Sequence, residues 1–96
     1  MEHELTLNDF SELLHQPFPV TAGAQKLDLV LIEVIEGTGG LPGGRQPFSL
    51  LFRGPIYPRL PQATYQFEHP QHGALAVFIV PIGANTDGTT YEAIFA

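Results

Sequence analysis

The chain has no cysteine and no tryptophan, only 4 lysines and arginines, and no long unbroken apolar stretch. The lack of cysteine excludes disulfides, a thiolate nucleophile, and zinc or iron–sulfur sites held by thiolates. It leaves the compartment open. The few basic residues, Lys26, Arg45, Arg53 and Arg59, are scattered. Phosphate backbones are held by neutralising their charge, so nucleic acid and anionic membrane surfaces are excluded as partners. The longest apolar run, Leu75 to Pro81 with Ala74 before it, is far below the ~20 residues of a membrane helix. Met1 to Glu4 is acidic and leads into no apolar core of a secretory signal. The expected location is the cytoplasm, or an assembly exported by another route.

What is present suits one folded domain over 1–96. Hydrophobic residues make up 44% of the chain, with 7 Phe and 3 Tyr. Charged residues make up 15%, below the ~25% typical of globular domains. Ten acidic residues set the formal net charge at -6. A chain of 96 residues buries roughly two-thirds of its unfolded surface, so nearly every large apolar side chain belongs inside.

One helix is expected, over Thr6 to His15. Leu7, Phe10, Leu13 and Leu14 fall at spacings of three and four. Thr6 and Asp9 form a capping-box-like start, with Asp in place of Glu, and Pro17 and Pro19 end the helix. From Leu27 the period changes to two. Strands are predicted over Leu27–Ile35, from Phe48 to Arg53, over Ala63–His69, over Ala74–Val80 and over Tyr91–Phe95. Phe18–Ala22 is a short edge strand beside its prolines. Ala74–Val80 is apolar on both faces and is therefore placed centrally. Gly37 to Gly44 reads as a flexible tip, Gly54 to Pro61 as a proline-punctuated excursion, and His69 to Gly73 as a compact turn. Asn85 to Gly88 reads as a hairpin through its Asp-Gly pair. The fold class is mainly β: a small antiparallel barrel or curled sandwich of five to six strands with one N-terminal helix. Phe48, Phe52, Tyr65, Phe67, Phe78, Tyr91 and Phe95 are its expected core.

Candidate chemistry is sparse. His69 and His72 sit three apart around Pro70, and Glu92 or Asp87 could complete a metal set. The simpler reading is a turn with His72 exposed and His69 packed at a strand end. Gly37 to Gly44 lacks the Gly-Lys-Ser/Thr ending and following helix of a phosphate loop, and Leu41 and Pro42 break a dinucleotide fingerprint. Ser11 and Ser49 lie in the helix and in a strand, neither on a nucleophile elbow. Glu33, Glu36, Glu68 and Glu92 are candidate acid–base groups only if burial or a like charge shifts them; Glu33 fits a solvated face. Arg53 ends an apolar strand at a Gly-Pro turn. It could bridge to Glu68 or Glu92 and pin register, or contact an anion or a partner at the barrel mouth.

The strings Phe48-Ser49-Leu50-Leu51-Phe52-Arg53-Gly54-Pro55, Leu60-Pro61-Gln62-Ala63-Thr64-Tyr65, His69-Pro70, His72-Gly73, Phe78-Ile79-Val80-Pro81-Ile82-Gly83 and Tyr91-Glu92-Ala93-Ile94-Phe95 span nearly the whole chain. Together they resemble a family of small bacterial domains of unknown function. The resemblance implies a stand-alone compact fold and an association with phage-tail-like or collar-type proteins. That family has no established site residue to carry over. With no catalytic constellation and no cofactor called for, the reading is a non-enzymatic interaction module or accessory subunit of a larger assembly. Its partner is another protein, or a second copy through the edge near Phe18–Ala22 or the C-terminal strand. The competing reading is a small-ligand or metal-binding barrel with Arg53, His69, His72 and Glu92 near one mouth.

Overall fold

Six runs of alternating side chains curl into a single sheet that closes on itself. In this computed structural model, which describes residues 6–37 and 47–95, the elements are α1 (Asn8–Ser11), β1 (Pro17–Ala22), β2 (Gln25–Glu36), β3 (Phe48–Gly54), β4 (Ala63–His69), β5 (Gly73–Asn85) and β6 (Gly88–Phe95). All pairings are antiparallel, and the closed order is β1-β2-β3-β6-β5-β4. Every strand expected from the two-residue period is present. The expected tip from Gly37 to Gly44 lies, apart from Gly37, outside the described residues.

Closure follows from the alternation. Along β3, Phe48, Leu50, Phe52 and Gly54 are buried while Ser49, Leu51 and Arg53 are only partly so. Residues 29, 31, 67, 77, 79, 91 and 93 point the same way on the other strands and are also buried. Barrels of eight strands are just filled by side chains, so six strands leave room for no more than a packed core. Phe18, Phe52 and Phe67 occupy its centre, with Phe18–Phe52 centroids 5.5 Å apart and Phe52–Phe67 5.1 Å apart. Burying each such ring contributes about 2–3 kcal/mol.

The seam between β1 and β4 is short: only Val20↔Phe67 and Thr21↔Gln66 are paired there. Pro17 and Pro19 have no N–H to offer toward it. Two bulges tighten the curvature, one between Leu31 and Glu33 and one between Pro81 and Gly83. They let β2 and β5, with 12 and 13 residues, bend around the barrel.

Several expectations need correction. The helix is one turn, not ten residues. His15 adopts a left-handed φ of 69°, and the chain is then tied to β2 by His15 N–H donating to the Leu31 carbonyl (2.6 Å) and Leu31 N–H donating to the Gln16 carbonyl (3.2 Å). Pairing with a strand outcompetes propagation of a short helix. Of its stripe, Phe10 is buried and Leu7 and Leu13 pack partly, but Leu14 is exposed. Phe78 is not core, being 50% exposed. β5 is therefore not covered on both faces. Closure gives each strand two neighbours without giving it a second covered face, because no layer of the described residues packs outside it. For the same reason β1 and β6 are not free edges. Each is paired on both sides along part of its length, β1 with β4 through only two residue pairs.

Candidate functional site

Three places on the barrel gather groups with chemical or recognition potential: its two ends and one outer wall.

At the first end, Phe10 plugs the opening. Its ring lies 5.9 Å from Phe48, 6.2 Å from Phe18, 5.6 Å from Phe95 and 5.3 Å from His69, the last edge-on. The one-turn helix sets this up. Asp9 Oδ2 accepts from Thr6 N–H at 2.7 Å and from the Thr6 hydroxyl at 3.3 Å. This is the carboxylate half of the expected capping box. Asp9 also reaches across the barrel mouth. Its carbonyl oxygen is 2.7 Å from His69 Nε2, and its Oδ1 is 3.1 Å from His72 Nε2. His69 Nδ1 accepts from the N–H groups of Gln71 and His72 at 3.1 and 3.2 Å. Since Nδ1 accepts, the ring proton sits on Nε2 and is donated to Asp9 O.

Both nitrogens of the buried His69 are thus engaged by the protein, and its lone pair points at backbone amides. That arrangement suits a fastening between α1 and the β4–β5 turn and leaves His69 no lone pair for a metal. His72 is brought beside His69, with ring centroids 4.6 Å apart. The third group is Asp9, not Glu92 or Asp87. Glu92 lies on β6 opposite Leu51 and Val80, facing outward. Among the described residues, no group of three or more His, Asp or Glu side chains could hold a metal ion. The hollow beside the His72–Asp9 pair, about 210 Å³, is lined by Asn8, Glu12, Leu13 and Gln71 as well as the pair itself. None of these described lining residues offers a hydroxyl, thiol or amine nucleophile for a histidine–carboxylate pair to activate.

The opposite end is closed by the β3–β4 crossover, residues 55–62, which contains the cis Tyr57–Pro58 peptide. Leu60 is buried, and its N–H donates to Tyr91 Oη at 2.8 Å. Tyr65 Oη donates to the Pro61 carbonyl at 2.7 Å. Burial, and then the neighbouring Tyr91, raise the Tyr65 phenol above its ordinary 10.0. Gly54 and Gly88 allow the ribbons to close here. A Cβ on Gly88 would strike the Gly54 carbonyl, and Gly88 has φ +136°, a conformation that side chains disfavour. The buried Thr89 hydroxyl has no hydrogen-bond partner among the described residues.

Arg53 stands at this second end. The expected mouth combining Arg53 with His69 and His72 is therefore not formed: they lie at opposite ends of the barrel. Arg53 pairs with Val30 on β2 and Thr90 on β6. Neither expected bridge is made among the described residues, because Glu68 is on β4, which does not adjoin β3, and Glu92 forms no ion pair with it. Arg53 Nε is buried without a hydrogen-bond partner among the described residues. The residue lines an open pocket of about 430 Å³ with Asp28, Val30, Ile32, Gly54, Pro55 and Asp87.

The outer wall was not legible as a site. Ile94 is 66% exposed, Ile82 52% and Phe78 50%. Ile94 pairs with Ser49, which pairs in turn with Ile35; Phe78 pairs with Thr64. Val80↔Glu92 joins β5 to β6, which sets Phe78 and Ile94 two residues further along on the same outward face. Leu51 sits behind them between Glu33 and Glu92. The result is an apolar band across β6 and β5 with carboxylates along one side.

A closed six-stranded antiparallel barrel, plugged at one end by a single helical turn and at the other by a crossover, is the class of structure these features define. The chain belongs to the DUF6916 family, a domain of unknown function, whose pattern matches residues 5–95. No curated protein matches the chain, and no solved structure does. No helix among the described residues is long and apolar enough to cross a membrane.

Proposed function

We propose that this domain is a non-enzymatic interaction module that docks another protein subunit on the outer wall of β5 and β6. The supporting observation is the band of Phe78, Ile82 and Ile94, each half or more exposed. Large apolar side chains grouped on one rigid face mark an association surface. The partner's chemistry follows from the surroundings. Glu33 and Glu92 flank Leu51 in the same wall, and the chain as a whole carries a formal charge of -6. Two copies would bring like charges together, whereas an apolar patch rimmed by Lys and Arg is complementary. Membership of a phage-tail-like or collar-type assembly, with this domain as an accessory subunit, is the setting we propose for such a partner.

The test compares the full chain with a F78S/I94S double variant and an E33Q/E92Q variant. The isolated wild-type chain is expected to sediment as a monomer. Native-extract proteins retained by it are expected to be lost with F78S/I94S and to be released by salt and by E33Q/E92Q, while thermal melting of all three stays close. Retention undiminished by F78S/I94S overturns the reading. A wild-type dimer abolished by the same variant would replace the foreign partner with a second copy.

A further inference from the structure

We propose that the pocket beside Arg53 is a binding site for a small zwitterion, a molecule joining a carboxylate and an ammonium group by a short aliphatic segment. The site is separate from the outer wall and does not rest on the docking proposal.

Three observations carry it. Among the described residues Arg53 is the single basic group lining the pocket, and its Nε is buried with no acceptor. With Nε enclosed, the guanidinium meets a ligand through its two Nη groups, whose parallel N–H bonds form a fork matched to the two oxygens of a carboxylate. Second, the lining also holds Asp28 and Asp87. Neither forms an ion pair with Arg53 among the described residues, so one positive and two negative charges stand apart around one space. A multivalent anion such as phosphate would meet net repulsion there. A carboxylate with an ammonium at its other end meets an opposite charge at both. Third, the floor between them is apolar. Val30, Ile32 and Pro55 supply it, and Ile32 is the residue at the β2 bulge between Leu31 and Glu33. Bulges re-aim side chains and recur beside binding sites. A volume of about 430 Å³ lies within the range of small-molecule sites.

The experiment is an amide-resolved NMR titration of the full chain with four probes: L-leucine as the zwitterion, 4-methylpentanoate as the carboxylate alone, 3-methylbutylamine as the amine alone, and inorganic phosphate. L-Leucine is expected to produce saturable shifts clustered at Asp28, Arg53, Gly54, Asp87 and Gly88. The carboxylate alone and the amine alone should each bind at least about tenfold more weakly, and phosphate should leave the cluster unmoved. Arg53→Gln should abolish the shifts. Asp87→Asn, at an exposed turn, should lower L-leucine affinity and leave 4-methylpentanoate unchanged or tighter. The dispersion of the same spectra reports whether each variant is folded. Absence of a saturable shift with L-leucine overturns the proposal. So does binding that Asp87→Asn leaves untouched, or phosphate binding tighter than the zwitterion.

Discussion

The two ends of the barrel are closed by different chemistry, and the difference separates fastening from opportunity. At one end a phenylalanine plug is held by an aspartate and two histidines whose described hydrogen-bonding groups point at one another. At the other, two tyrosine hydroxyls pin the crossover, yet a buried guanidinium Nε and a buried threonine hydroxyl are left without partners among the described residues. A buried polar group that is satisfied contributes stability; one that is not costs about 1–3 kcal/mol. The histidine end is therefore built for holding the fold shut, and the tyrosine end carries unspent hydrogen-bonding capacity beside its pocket. Substitutions at matched places test that contrast.

The largest expected loss is at the histidine end. Phe10→Ala removes the one ring that touches Phe18, Phe48, Phe95 and His69 together. A loss of about 3–5 kcal/mol in denaturant unfolding is expected, from burial and from the cavity left behind. A loss under about 1 kcal/mol would show that the plug is peripheral. His69→Ala follows, at about 2–4 kcal/mol, because it strands the Asp9 carbonyl and the Gln71 and His72 amides and opens a void under Phe10. A measured cost near zero for His69→Ala would sink the idea of a fastening.

At the tyrosine end, Tyr91→Phe keeps the ring and deletes only the acceptor of Leu60 N–H. The expected cost is about 1–3 kcal/mol, read as a shift in denaturant midpoint with an unchanged slope. Thr89→Val goes the other way. It exchanges an unpartnered buried hydroxyl for a methyl of similar shape, and a gain of about 1 kcal/mol is expected. Destabilisation by Thr89→Val would mean that the hydroxyl has an acceptor in solution, and the contrast between the ends would weaken.

Most of this architecture could be read from the residues, and the failures share a cause. All six strands were legible because a half-buried strand writes its two faces into alternate positions, as Ala63–His69 does. Phe78 misled because β5 is apolar on both faces, and sequence periodicity cannot distinguish a face covered by another layer from one awaiting a partner. The helix was overextended because Leu13 and Leu14 fit a helical stripe, while the competing bonds from His15 and Gln16 to Leu31 are non-local. The His72–Asp9 pair joins residues 63 apart, and no spacing rule spans such a gap. Arg53 was visible as an anomaly, a charge ending an apolar strand, but its company of Asp28 and Asp87 depends on how three strands meet at one end.

The smallest expected effect concerns pH, and it belongs to the tyrosine end alone. Tyr65 is a neutral acid whose ionisation is shifted upward, first by burial and then by Tyr91; its proton is also the one donated to the Pro61 carbonyl. The folded chain therefore holds this proton more tightly than the unfolded chain. Between the ordinary phenol value of 10.0 and the higher folded value, the unfolded state releases a proton that the folded state keeps, so stability falls as pH rises. The contribution of Tyr65 is fully present below pH 10.0 and is lost as the pH climbs through the folded value. Tyr65→Phe removes the titration, so the variant should lose less stability than wild type between neutral pH and the region above 10.0, even though it starts lower for want of the Pro61 hydrogen bond. Denaturant unfolding at matched pH values reads the crossing directly. Parallel stability curves for the two proteins through that alkaline range would mean that the hydroxyl stands in ordinary solvent, and that the crossover is pinned by Tyr91 without help.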